Sequence, residues 1–227
     1  AASRIFGSKK GVLATAVIGG AYSSTAVTAL LSHRLRTDET GQGTLSAGIA
    51  LATSIMFVRV LLLTAIIADF AFTTVLQLAG PAVLVGAVAG LVLLRDQTSV
   101  TSSELAGLGN PIAIIPALGF LILVAIMAVA ARWAEIVFGG GGALALIITI
   151  GLFDVDAAIV TLGGLSSDTL DPGIAGLAIV GAVLANMLVK IGVIIIYAGP
   201  KAGRKAICAL ALGAATLAGA IGLAMAT

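Results

Sequence analysis

Charge is what this sequence has least of for its length. Asp, Glu, Lys and Arg make up 10% of its 227 residues, against about 25% in an ordinary soluble domain. A water-soluble globular fold is excluded on that ground. A formal net charge of +2, with the basic residues in short clusters rather than a stripe, excludes a nucleic-acid partner. A single cysteine, Cys208, rules out an intrachain disulfide and any cysteine-cluster metal site. Lying in an apolar run, it reads as a small helix residue. The single histidine, His33, stands at a helix end beside Arg34 and reads as a headgroup-level residue, not a catalytic base. Zinc-protease, nucleophile-elbow and kinase signatures are missing. The chain is therefore expected not to be an enzyme, and the sequence leaves metal and cofactor unassigned.

What is present is apolar. Hydrophobic residues make up 60% of the chain and the mean hydropathy is +1.21. Runs of membrane-spanning length, about 20 residues, recur along nearly all of it. The expected fold is all-α, a polytopic transmembrane helix bundle forming one domain over residues 1–227. About seven spans are expected, at 11–33, 45–68, 75–94, 112–133, 142–165, 173–198 and 206–226. The segment 95–111 is the longest polar connection. Asp171 and Pro172 are suited to cap and begin the sixth span. The opening "AASRIFGSKKG" lacks a methionine and the layout of a secretory signal, so a processed or truncated piece of a longer protein is expected.

Basic residues indicate an orientation. Arg4, Lys9, Lys10, Arg132, Lys201, Arg204 and Lys205 fall on the N-terminal side of the expected spans, and Arg34, Arg36 and Arg95 on the other. That bias predicts a cytoplasmic N-terminus and an external C-terminus.

The chain also matches itself at an offset of 131 residues. "GAYSSTA" from Gly20 falls over "GLFDVDA" from Gly151, Met56 over Met187 and Arg59 over Lys190. Two three-helix repeats are expected, at about 11–94 and 142–226, joined by a linker helix at 112–133. Four crossings between equivalent points predict a parallel pair, related by an axis along the membrane normal. This 3+1+3 plan is like that of SWEET-type sugar carriers in helix count only.

Arg59, Asp154, Asp156 and Lys190 come out at one depth, roughly 15–20 Å into the bilayer at about 1.5 Å per residue. Each would cost about 2.5–3.5 kcal/mol facing lipid, so they are expected to face the bundle interior and to pair there. Intramembrane charges of this kind are candidate ion-binding groups; a structural ion-pair network would give the same pattern. Asp154 and Asp156, two apart, face opposite ways on an unbroken helix. Both meet one cavity only if the backbone opens beside them, and Gly151 permits that. Gly19 and Gly20 offer a similar break before Ser23, Ser24 and Thr25, whose hydroxyls either line a site or bond back to their own helix. Asn186 shares a helix face with Lys190.

These motifs carry a resemblance. "GGAYSSTAVTAL" at 19–30, "MFVRVLLL" at 56–63, "NPIAIIPALGF" at 110–120, "GLFDVDA" at 151–157 and "LANMLVKIG" at 184–192 together resemble the C-terminal membrane domain of MgtC/SapB-type proteins. The resemblance runs through nearly the whole chain in order. It implies a prokaryotic inner-membrane protein linked to magnesium or other cation homeostasis, with an MgtC-like membrane domain or further copies of itself as partners besides the lipid bilayer. That family tends to carry an acid in the stretch matching "NPIAI", where this chain has Ala113, so no role of that acid carries over. The expected function is a small secondary transporter or channel-like carrier for an ion, divalent or proton-coupled. Its candidate site residues are Asp154, Asp156, Arg59, Lys190, Asn186, Ser23, Ser24 and Thr25. The alternative is a non-transporting membrane subunit or regulator whose buried charges are structural.

Overall fold

The computed structural model describes residues 2–37, 41–95, 144–165 and 171–226, with scattered positions from 126 to 142. The linker span 112–133 and Ala113 therefore lie largely or wholly outside the described residues. Among the described residues the architecture is all-helical: α1 (Ala2–Thr37), α2 (Gln42–Ile67) and α3 (Asp69–Arg95), then α4 (Leu144–Phe153), α5 (Val155–Gly163), α6 (Pro172–Ala202) and α7 (Arg204–Ala226). Four of these, α2, α3, α6 and α7, are long and apolar enough to cross a membrane. At about 1.5 Å per residue they reach roughly 35–45 Å, more than a hydrocarbon core of about 30 Å requires.

Helix ends follow local chemistry. Asp171 Oδ1 accepts from the backbone N–H groups of Gly173 (2.8 Å) and Ile174 (3.2 Å), so it caps α6, and Pro172 begins that helix as its missing N–H allows. Near its C-terminal end α6 is kinked at Gly199, whose φ of 78° lies in the left-handed region that only glycine enters freely. Pro200 follows, and Gly203 N donates back to Gly199 O at 3.0 Å to close the turn into α7. The α2–α3 connection is a single residue, Ala68, whose N–H still donates to Thr64 O at 2.9 Å.

The chain forms two compact units. The first gathers α1, α2 as far as Arg59, α3 from Pro81, α6 from Met187 and α7 as far as Thr216. The second gathers α2 from Val60, α3 as far as Gly80, α4, α5, α6 as far as Asn186 and α7 from Leu217. Along the chain, α2 and α7 pass from the first unit into the second, whereas α3 and α6 pass from the second into the first. Under the 131-residue register α2 corresponds to α6 and α3 to α7, so the members of each pair visit the units in opposite order.

Each unit is held by a glycine contact at the equivalent place. In the first, a Cβ on Gly20 would stand 2.8 Å from Ala52 Cα, so α1 and α2 touch backbone to backbone. In the second, a Cβ on Gly151 would stand 2.6 Å from Ala182 Cα, and α4 meets α6 in the same way. Small residues at such crossings maximise van der Waals contact where lipid offers no hydrophobic drive.

Candidate functional site

The sequence Gly-Leu-Phe-Asp-Val-Asp interrupts an otherwise apolar helix, and the backbone opens at one residue. Asp154 has φ −151° and ψ 114°, extended values that end α4 at Phe153 and make it the N-cap of α5. Its Oδ1 accepts from Asp156 N (2.8 Å) and Ala157 N (3.3 Å). The opening is confined: Asp154 N still donates to Ile150 O (3.0 Å), and Ala158 N to Asp154 O (3.3 Å). The N–H groups of Asp156 and Ala157, which in a continuous helix go to Leu152 O and Phe153 O, turn to Asp154. Leu152 O instead accepts from the Asn186 side-chain amide of α6 at 3.4 Å. An unsatisfied carbonyl in hydrocarbon costs several kcal/mol, and Asn186 offsets that cost. Asp154 and Asp156 are both half-buried. The second unit thus brings together Asp154, Asp156, Asn186 and a carbonyl released from its helix.

In the first unit α1 runs unbroken from Ala2 to Thr37, so the helix interruption expected after Gly19 and Gly20 does not occur. The interruption in α4–α5 depends on an aspartate that replaces the lost bond. Ser23, the residue at the equivalent position, does so only in outline: its Oγ accepts from Ala26 N at 3.3 Å, as Asp154 accepts from Ala157 N. Arg59 of α2 donates through Nη1 to Ala21 O (2.7 Å) and Tyr22 O (3.1 Å) of α1. Ala21 and Leu152 are 131 positions apart, as Gly20 and Gly151 are. In the first unit α2 therefore supplies a side-chain donor to Ala21 O of α1, and in the second α6 supplies one to Leu152 O of α4.

Lys190 is fully buried, at 0% exposure. Its ammonium donates to Ser24 Oγ at 2.8 Å and lies 2.9 Å from Met56 Sδ. Hence the first unit sets two cations on one turn of α1, Arg59 at residues 21 and 22 and Lys190 at Ser24. Asn186 and Lys190, four apart on α6, reach different helices, α4 and α1 respectively. Thr25 is half-buried. Sequence reasoning overlooked Met56 as a lysine partner and the carbonyls of Ala21, Tyr22 and Leu152. A thioether gives no polar signal, and backbone acceptors are present at every residue.

Among the described residues no three His, Cys, Asp or Glu side chains gather as a metal-binding group. A cavity of about 10 Å³ in the first unit is lined by uncharged residues of α2, α3, α6 and α7, with Thr53, Phe57, Gly86 and Met187 among them. That is room for about one water.

Residues 1–198 match the family described as a domain of unknown function, DUF4010. An uncharacterized protein of Aquifex aeolicus (strain VF5) is 29% identical over 192 residues, 84% of this chain and 84% of that protein. No solved structure matches the chain.

Proposed function

The chain belongs to the DUF4010 family, a domain of unknown function, and from that premise we propose that it is a small membrane carrier or channel-like protein for an ion. Asp154 and Asp156 are the cation- or proton-binding groups, and Arg59 and Lys190 balance charge. The observation that supports this reading is the one-residue opening at Asp154. A helix interrupted inside an apolar segment, with carboxylates and a released carbonyl at the break, is the arrangement by which membrane carriers present oxygen ligands to a cation. The finer likeness to MgtC/SapB-type C-terminal domains sets the proposed carrier beside cation homeostasis in a prokaryotic inner membrane, next to an MgtC-like domain or its own copies.

The test uses purified protein reconstituted in vesicles. The chain should carry an ion current or a proton-coupled flux, and Asp156→Asn should reduce it at least tenfold while leaving thermal unfolding in detergent unchanged. Asp156 is the residue to change, because Asp154 also caps α5. Unaltered flux in that variant would sink the assignment.

A second reading has an observation of its own. Arg59 and Lys190 donate to α1, which is what side chains fixing helix register do, and the small cavity of the first unit has no charged lining. In that reading the protein is a non-transporting subunit, and flux is absent from the unmodified chain.

A further inference from the structure

The turn from α6 into α7 carries charge of one sign only. Asp171 is the last acidic residue of the sequence, and Lys201, Arg204 and Lys205 follow it within the turn. All three are exposed. The backbone sets them on one face. Gly199, at φ 78°, breaks α6; beyond it Gly203 N donates to Gly199 O (3.0 Å) and Ile207 N to Gly203 O (2.8 Å). Both bonds reach four residues back, so helical winding continues from Pro200 through Gly203 into α7. Residues three and four apart share a face of such a helix. Gly203, Ala206 and Leu210 form the buried face: a Cβ on Gly203 would collide with the Ile194 side chain of α6, and Ala206 and Leu210 are 0% and 2% exposed. Lys201, Arg204 and Lys205 form the outer face, which continues down α7 as Cys208 and Leu212, both exposed.

The hairpin itself does not require these cations. The start of a helix is the positive end of its dipole, where Asp and Glu stabilise it and Lys and Arg do not. The equivalent turn of the other repeat follows that rule. At the 131-residue offset Pro200, Lys201, Arg204 and Lys205 correspond to Asp69, Phe70, Thr73 and Thr74. There Asp69 Oδ1 accepts from Phe70 N at 2.8 Å, and Thr74 lies against Gly176 of α6. One hairpin closes without a cation, and the other gathers three on its outer face against the helix dipole.

The helices α6 and α7 are both long and apolar enough to cross a membrane, so a short turn between them stands at headgroup level. We propose that the outer face of this turn binds the phosphate of an anionic phospholipid, with Lys201, Arg204 and Lys205 around the headgroup and an acyl chain along Cys208 and Leu212. A guanidinium pairs with two phosphate oxygens and the ammonium groups add charge, and basic clusters beside membrane spans attract anionic lipid. Charge complementarity sets the class of ligand. The apolar stripe directly below the cations sets its source, because a free phosphate would meet the cations alone. The site is separate from the opening at Asp154, and its test involves no ion flux.

The full chain in neutral detergent is titrated with phosphatidylglycerol, with phosphatidylcholine, which has the same phosphate but no net charge, and with inorganic phosphate. Bound lipid is read by native mass spectrometry. Phosphatidylglycerol should bind at least tenfold more tightly than phosphatidylcholine, and inorganic phosphate at equal concentration should not displace it. The combined Lys201→Gln, Arg204→Gln and Lys205→Gln variant should bind the two lipids alike. Arg34→Gln with Arg36→Gln, at the end of α1, should keep the preference within twofold. Equal binding of the two lipids by the unmodified chain, a measurement that no folding defect affects, would overturn the proposal. So would displacement by inorganic phosphate, a preference that survives the triple variant, or an equal loss in the α1 variant.

Discussion

At the scale of single residues, Asp154 has a backbone task as well as any ionic one. Its carboxylate satisfies two N–H groups at the start of α5, and removing such a cap costs about 0.5–2 kcal/mol. Asp154→Ala should therefore lower stability by about 1–2 kcal/mol in a detergent unfolding titration. Asp154→Asn keeps an accepting oxygen and should lose less than half of that. If the two variants unfold alike, the capping role is wrong. An opening near this residue was legible in the sequence, because two carboxylates spaced by one residue cannot share a face of an intact helix. Which oxygens the opening frees was not, because Leu152 O is exposed by a bond that Asp156 N gives up, and Asn186 reaches it from 34 positions away. Lys190 was recognisable as a buried charge by its apolar neighbours. Its partners come from α1 and α2, 166 and 134 positions distant, where sequence spacing holds no signal.

At the scale of elements, the helices follow from apolar run length, and the contacts between them from glycine. A Cβ at Gly151 would collide with Ala182, and one at Gly20 would lie within 3 Å of Ala52 Cα. Neither neighbour can yield, since each is backbone or the side chain of an alanine. Gly151→Ala and Gly20→Ala should each destabilise the protein by about 1–3 kcal/mol. On α7, a Cβ added at Gly219 would meet nothing within 4 Å, so Gly219→Ala should be neutral or stabilising by up to about 1 kcal/mol. Comparing melting midpoints of the three variants in one detergent checks this, and a Gly219 variant as weak as the Gly151 variant would count against it. The sequence marks Gly20 and Gly151 through their shared register, yet it also suggests a break after Gly20 that α1 does not show. Ser23 has the right position for a cap but is a weaker acceptor than a carboxylate, and the helix keeps its own bonds there.

At the scale of the whole molecule, four helices have the length and composition to cross a bilayer, and large apolar side chains are exposed on each: Leu62 and Ile66 on α2, Leu84 and Val88 on α3, Leu188 and Ile196 on α6, Leu212 on α7. Such a surface is compatible with contact with the lipid bilayer. Cys208 lies on that surface, exposed on α7 four residues past Arg204. In a bilayer a thiol there lies against lipid and out of water, so a charged maleimide should leave it unmodified until the protein is unfolded in denaturing detergent. Prompt labelling in the bilayer would argue that α7 is not embedded. Length, charge poverty and apolar runs were enough, by themselves, to determine an all-helical membrane chain, because the cost of exposing backbone or charge to hydrocarbon leaves a helix as the only form for such segments. The 131-residue register was likewise present in the sequence, since it is a property of order alone. Only the tertiary structure decided that α2 and α7 lead out of one compact unit while α3 and α6 lead into it, and that Lys190 meets Ser24 and Met56. Those outcomes depend on which helix faces close against which, and in a uniformly apolar chain the energy that selects them resides in a few glycine contacts and polar bonds between distant residues.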